Sequence, residues 1–203
     1  MRVALCISAL LWCLADDALA DSGAVASLEI STESGSVSAT AVDGVARAPV
    51  ASAEAALQLS IDDWPVVGKA RLKVLFWNIY DSALYTPSGT WQAQGPYQLS
   101  LHYLRDIPVK QLIEQTEKAW QEQGRDHPLQ AEWLAQLGDI WPDITEGDNL
   151  VLSVAANGLS GFWFNGEFIG GIQDEAFGPL FGGIWLDADS PQPDLRAKLI
   201  ASE

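Results

Sequence analysis

The residues best suited to hold an anion lie close together in the sequence. Arg71 belongs to a run from Gly68 to Tyr85 in which charged and apolar residues alternate at first, and Tyr80 and Tyr85 follow it in the same run. A guanidinium beside a phenol can hold a carboxylate through charge-assisted hydrogen bonds. We therefore take Arg71, Tyr80 and Tyr85 as candidate ligand-binding residues.

Arg71 also has a simpler interpretation. Lys69, Arg71 and Lys73 alternate with apolar residues, which is typical of a half-buried strand with its charged side chains in water. Charges on an edge strand discourage pairing with other chains. A register change of one residue would reverse the face of the strand, so both interpretations of Arg71 stay open.

Other patterns that carry chemistry are absent from the sequence. It has no phosphate-binding glycine loop, no nucleophile elbow and no pair of histidines at metal-ligand spacing. The two histidines, His102 and His127, are far apart, and we expect structural roles for both. The scattered carboxylates do not form a complete calcium-binding loop. We therefore expect no metal and no cofactor, and we assign no catalytic residue.

The strands that would position these residues can be predicted from alternation. It predicts strand structure at 68–85, with a bend or bulge after Asn78, and a second strand at 97–104. A three-strand antiparallel meander is predicted within 149–172. Its second turn is Asn165-Gly166, the dipeptide best suited to a hairpin turn with positive φ at both central residues.

Apolar spacing of about 3.6 residues predicts the helices. They cover 108–123 and 129–140, with a third after Asp174 and a short one at 194–201. The aromatic stripes on the first two are expected to be core. Pro179 fits poorly inside the third helix, so this helix either starts later or kinks there. This order of strands and helices indicates an α+β fold.

The first twenty residues have the features of a signal peptide. Arg2 precedes an uncharged run from Val3 to Ala15, and Ala18-Leu19-Ala20 has the small-x-small form of a cleavage site. The run is too short for a transmembrane helix, so we expect no stable membrane insertion. Cleavage after Ala20 would leave a periplasmic or secreted protein.

The remainder divides into a leader and a domain. Residues 21–60 lack aromatic side chains and are rich in Ala, Ser and Gly, which predicts a flexible leader. The folded domain is predicted at 61–203. Cys6 and Cys13 both lie in the predicted signal peptide, so the mature chain would have no disulfide and no thiol chemistry.

The charge balance bears on partners. The chain has 11 basic and 27 acidic residues and a formal net charge of −16 at pH 7. Nucleic acids and anionic membrane surfaces both demand clustered Lys and Arg, so this acidic balance disfavours binding to either of them.

Three stretches together resemble the bacterial chalcone isomerase-like proteins. They are Val67 to Tyr85, Tyr103-Leu-Arg-Asp-Ile, and Phe164-Asn-Gly-Glu-Phe-Ile-Gly-Gly-Ile-Gln-Asp followed by a helix ending Ile184-Trp-Leu. The resemblance covers roughly 62 to 201, in matching order. It implies an open-faced β-sandwich, with an antiparallel sheet, helices packed on one face and a cleft between these layers.

The resemblance also implies two kinds of function. Plant enzymes of the superfamily close a flavanone ring, whereas other relatives bind fatty acids with an arginine and a tyrosine on the carboxylate. Arg71 and Tyr80 fall at approximately matching places. The plant isomerases carry a tyrosine and an asparagine near the start of the helix after the central strand, and the span 108–117 contains neither.

We therefore expect an exported, non-catalytic domain that binds a small hydrophobic or amphipathic carboxylate, such as a fatty acid, in the cleft. Two alternatives stay open. One is an intramolecular lyase or isomerase of chalcone isomerase type acting on an unknown substrate, and the other is a structural or interaction module without a ligand.

Overall fold

The computed structural model describes residues 64–201. The predicted signal peptide (1–20), the predicted leader (21–60) and residues 61–63 and 202–203 of the predicted domain lie outside this range. Within it, a single antiparallel sheet has its strands in chain order, which are β1 (Val66–Val74), β2 (Trp77–Tyr85), β3 (Tyr97–Tyr103), β4 (Asn149–Val154), β5 (Ser160–Phe164) and β6 (Glu167–Ile172). The helices of this part are α1 (Val109–Glu122), α2 (Gln130–Ile140), α3 (Phe177–Leu186) and α4 (Pro193–Leu199).

The helices cover one face of the sheet, so the predicted α+β open-faced β-sandwich is confirmed. Leu99, Leu101 and Tyr103 alternate along β3 and are all buried, as the strand period of two requires of a face packed on a helical layer. α1 and α2 lie between β3 and β4 in the chain, and these two strands are still antiparallel neighbours. The connection therefore crosses over the core and returns beside its starting point.

The meander and its second turn are confirmed. β4, β5 and β6 pair in sequence within the predicted 149–172. Asn165 and Gly166 have φ angles of 51° and 88°, and this sign at both positions is what a two-residue type I′ turn needs.

The stretch 68–85 contains a turn that was not predicted. Two strands, β1 and β2, are joined by a turn at Leu75-Phe76, and Leu75 has a φ of 53°. The predicted bulge after Asn78 is present, because Leu72 pairs with Tyr80 but Lys73 pairs with Asn78. The bulge leaves Ile79 as the extra residue of β2.

α3 begins later than Asp174, which resolves the position of Pro179. The helix starts at Phe177, so Pro179 lies in its first turn, where the missing N–H has no helical partner to lose. Asp174 still prepares the helix, because its Oδ1 accepts a hydrogen bond from the N–H of Ala176 at 2.9 Å.

An aromatic cluster joins the helices to the sheet. Its members come from α1, α2, the residue after α2, β5 and α3, and they are Trp120, Trp133, Trp141, Phe162, Phe177 and Phe181. Most pairs meet edge to face with ring centres 5.2–6.5 Å apart. Each such pair contributes about 0.5–1.5 kcal/mol beyond the apolar area that it buries.

Glycines let the backbone of α3 approach the sheet closely. The Tyr97 hydroxyl at the start of β3 donates a hydrogen bond to the carbonyl of Gly178 at 3.1 Å. It also lies against Gly182, where an added methyl group would overlap the hydroxyl oxygen. A side chain at position 182 would therefore push α3 away from β3.

A matched pair of substitutions tests this contact. Gly182→Ala should lower the free energy of unfolding by about 1–3 kcal/mol, because overpacking outweighs the gain in helix propensity. Gly138→Ala in α2 meets nothing within 4 Å and should raise stability by about 0.5–1 kcal/mol. Urea denaturation of both variants measures the difference, and a stabilising Gly182→Ala would contradict the packing described.

Candidate functional site

Arg71 lies on the face of the sheet away from the helices. It is on an edge strand and pairs with Asp81 of β2 in a bidentate ion pair, with Nε–Oδ1 and Nη2–Oδ2 distances of 2.5 and 2.7 Å. The side chains are 48% and 41% exposed. The hydrogen bond from Arg71 lowers the pKa of Asp81, and Asp81 raises the pKa of Arg71. This geometry corresponds to the solvent-facing interpretation of the β1 charges.

Tyr80 lies on the opposite, helix-facing side. Its hydroxyl accepts a hydrogen bond from Trp185 Nε1 at 2.9 Å, and its ring meets that of Tyr103 edge to face at 5.8 Å. Burial raises the pKa of Tyr80 to about 12, although the hydrogen bond from Trp185 acts in the other direction. Its phenol is therefore a protonated, packed group within the core.

The carboxylate site expected from Arg71 and Tyr80 is thus not assembled. Arg71 pairs across the strands with Asp81, whereas Tyr80 pairs with Leu72, and adjacent residues of a strand point to opposite faces. This register places Arg71 and Tyr80 on opposite faces of the sheet, so it does not bring their side chains together. Tyr85 is half-buried and lies on the same face as Asp81, but four residues further along β2, roughly 13 Å away.

A pocket of about 600 Å³ is present elsewhere, at the end of the layer between sheet and helices. It lies where β3 begins and β4 ends, with α3 across it. Its apolar walls are Trp91, Tyr97, Val154, Pro179, Leu180 and Leu186, and its polar groups include Arg125, Asn157, Glu175 and Asp187. None of the three predicted site residues contributes to these walls.

Trp91 and Tyr97 form the aromatic side of the pocket. Their rings meet edge to face with centres 5.4 Å apart. Trp91 is in the loop between β2 and β3, and it is only partly buried. Burial raises the pKa of Tyr97 well above its ordinary value, with the nearby Asp187 charge adding to the effect. Tyr97 therefore offers the pocket a neutral ring rather than an anion.

Arg125 is the cation of the pocket. Its Nη2 donates to Asp187 Oδ2 at 2.6 Å and to both carboxylate oxygens of Asp189 at 3.0 and 3.1 Å. These contacts raise the pKa of Arg125, and its hydrogen bond lowers the pKa of Asp189. Among residues 64–201, no hydrogen-bond partner is seen for Nε or Nη1 of Arg125. A guanidinium has five N–H donors, so several can still reach a ligand.

Sequence reasoning did not select Arg125. It follows α1 in a polar loop and meets Asp187 only after the chain has passed through α2 and the meander. The only available signal was the acidic pair Asp187 and Asp189, which in the structure contacts Arg125, a cation of the protein itself. In the part of the chain that the structure describes, no group of His, Cys, Asp or Glu residues could hold a metal ion.

A family model described as chalcone isomerase-like matches residues 39–201. This span is most of the chain, and the protein belongs to the chalcone isomerase-like family. The match begins at residue 39, inside the stretch 21–60 that composition assigned to a leader.

Structural comparison agrees on the fold. The structure is similar to the crystal structure of a fatty-acid-binding protein from Arabidopsis thaliana, with a TM-score of 0.52 and 10% sequence identity. The similarity covers 68% of this chain and 87% of the other. At this identity it shows a shared fold. No curated protein matches the sequence.

The buried Tyr80 hydroxyl predicts a specific alkaline response. Because its pKa rises from 10.0 to about 12 on folding, the stability it contributes is complete below pH 10 and is lost as the pH rises through about 12. At neutral pH, Tyr80→Phe should lower the unfolding free energy by about 1–3 kcal/mol, because Trp185 Nε1 loses its acceptor. The gap between wild type and variant should narrow above pH 10.

Urea denaturation at a series of pH values measures that gap. If the two proteins keep the same difference through the alkaline range, the Tyr80 phenol does not ionise with the shifted pKa given above.

Proposed function

We propose that the protein is a non-catalytic binding protein for a small amphipathic carboxylate, such as a fatty acid, held in the pocket beside α3. The observation that carries the proposal is the pocket itself. Its volume of about 600 Å³ falls within the roughly 300–1,000 Å³ typical of small-molecule sites. It combines apolar walls with one arginine, which is the composition expected for an apolar body with an anionic end.

The walls suggest how such a ligand would lie. An acyl chain would run between Trp91 and Leu180, and its carboxylate would accept hydrogen bonds from Nε or Nη1 of Arg125. Asp187 and Asp189 already offset part of the Arg125 charge, and Glu175 adds another anion. The apolar walls therefore supply most of the affinity, and the arginine orients the ligand.

The residues of α1 support a role without catalysis. The span 108–117 begins this helix and lacks the tyrosine and asparagine that the plant isomerases carry there. Lys110 and Glu114 of this helix make an exposed i,i+4 ion pair, which is typical of a solvated helix surface.

We also propose that the domain acts after export. The support is in the sequence alone, where Arg2, the uncharged run 3–15 and Ala18-Leu19-Ala20 form a signal peptide pattern. Sequencing the N-terminus of the mature protein tests this. A start at Asp21 is expected, whereas an intact Met1 would refute export by this route.

A ligand-free interaction module is a second candidate, and the aromatic cluster favours it. Trp120, Phe177 and Phe181 fill the centre of the layer between sheet and helices, where a longer ligand would otherwise enter. With the centre of this layer filled, the space for a ligand is the pocket at its end. Ligand binding in that pocket therefore distinguishes a binding protein from a ligand-free interaction module.

Binding of dodecanoic acid, measured by calorimetric titration, distinguishes them. Ala156→Trp places an indole at the pocket wall and should weaken binding at least about tenfold, because each buried CH₂ of the ligand is worth about 0.8 kcal/mol. Arg125→Gln should weaken it by about tenfold through loss of the charged donor. Arg71→Gln is the matched control, since this arginine lies on the other face, and it should bind as the wild type does.

Two results would reject the proposal. One is absence of dodecanoate binding together with no lipid in solvent extracts of the purified protein, which would favour the interaction module. The other is weakened binding in Arg71→Gln but not in Arg125→Gln, which would move the site to the outer face of the sheet.

A further inference from the structure

The turn between β1 and β2 exposes three large apolar side chains. Leu75, Phe76 and Trp77 are 66%, 94% and 56% exposed, and we call these three residues the apolar tip. Two-residue hairpin turns favour Asn, Asp or Gly because positive φ is costly for other residues. Here Leu75 takes a φ of 53° and Phe76 follows it in the turn. The local chain therefore places apolar groups in water where polar residues would be more stable.

Two cations stand beside the apolar tip. Lys73 is exposed and immediately precedes the last residue of β1, and the Arg105 guanidinium carbon lies 5.1 Å from the centre of the Trp77 ring. Such a position is typical of a cation–π contact. The chain as a whole has a net charge of −16, so two cations beside the apolar tip are a local exception to its acidic character.

We propose that the apolar tip binds the surface of a phospholipid bilayer, with Leu75, Phe76 and Trp77 in the headgroup region and Lys73 and Arg105 at the lipid phosphates. Trp favours this depth of a membrane because its ring combines an apolar body with a polar N–H, and Phe and Leu add apolar groups that enter the same boundary. The tip is a convex hairpin end rather than a groove, so it is shaped to enter a soft surface.

The size of the tip argues against a protein as its occupant. Three side chains that each bury at most about 150–250 Å² supply less than the roughly 800 Å² that each partner contributes to a standard protein interface. A bilayer has no such minimum, because it closes around whatever apolar group enters it. No helix among residues 64–201 is long and apolar enough to cross a membrane, so the contact proposed is peripheral.

Acidic groups at the same end of the sheet limit the electrostatic attraction. Asp106 accepts a hydrogen bond from the backbone of Glu146, and Asp148 accepts one from the backbone of Thr145 and another from Asn165. These carboxylates lie near the surface that would meet the lipid. Insertion of the apolar tip is therefore the main source of binding, and Lys73 and Arg105 offset repulsion.

The tip is also independent of the ligand pocket. It lies where β1 ends and β2 begins, whereas the pocket lies where β3 begins and β4 ends, at the other end of the antiparallel sheet. A protein bound through the tip would hold its pocket away from the bilayer. Membrane binding through the tip is therefore independent of ligand binding in the pocket, and each can be tested separately.

Flotation with vesicles of phosphatidylethanolamine and phosphatidylglycerol tests the proposal. The protein used is the chain from Asp21 onward, without the predicted signal peptide. The wild type should float with the vesicles, and the double variant Leu75→Gly/Phe76→Asn should lose at least about tenfold in partitioning, because burial of one large apolar side chain is worth roughly that factor or more. The same variant should keep or raise the melting temperature, since Gly and Asn suit the turn.

The matched control is Leu129→Asn, which removes another exposed apolar side chain, 38% exposed, from the start of α2. It should float like the wild type. Equal flotation of the wild type and the tip variant would overturn the proposal. So would self-association of the wild type, measured by sedimentation equilibrium without lipid, that the tip variant abolishes, because the tip would then bind a second copy of the chain.

Discussion

The aromatic cluster between sheet and helices fills the middle of the layer that these elements form. Phe181 of α3 touches Trp120 of α1, Trp141 after α2 and Phe162 of β5, so one side chain joins three helical segments to the sheet. These buried rings fill the middle of the layer. A pocket of about 600 Å³ lies at the end of the layer, where α3 passes the start of β3. The position of the pocket thus follows from how the core is filled.

Local sequence rules predicted the parts of the fold in which turn chemistry and periodicity agree. Asn165-Gly166 is a strong hairpin signal, and the 3.6-residue spacing in α1 and α2 is regular enough to give their positions to within about two residues. The turn at Leu75-Phe76 was missed because it contains no residue that favours a turn. There, the pairing of β1 with β2 overrides local preference.

The candidate site was harder to predict, because it depends on contacts between distant parts of the chain. The residue types at Arg71 and Tyr80 were suitable, but the register of β1 against β2 places them on opposite faces. The alternation of residue types alone could not predict these opposite faces, because a bulge at Ile79 lies between Arg71 and Tyr80 in the sequence. Arg125 contacts Asp187, which lies 62 positions further along the chain, and no spacing rule relates the two positions.

The close contact of α3 with its neighbours limits which parts of the pocket can change in sequence. Gly182 lies against the Tyr97 hydroxyl, and Gly178 lies against the carbonyl of Gly158 in the turn between β4 and β5. This side of the pocket is made of backbone held at closest approach, and a new side chain there would separate the helix from the sheet. Evolution of ligand preference within this family member would then be confined to the opposite wall. Substitutions at Trp91, Ala93 or Ala156 could reshape that wall while leaving the core unchanged.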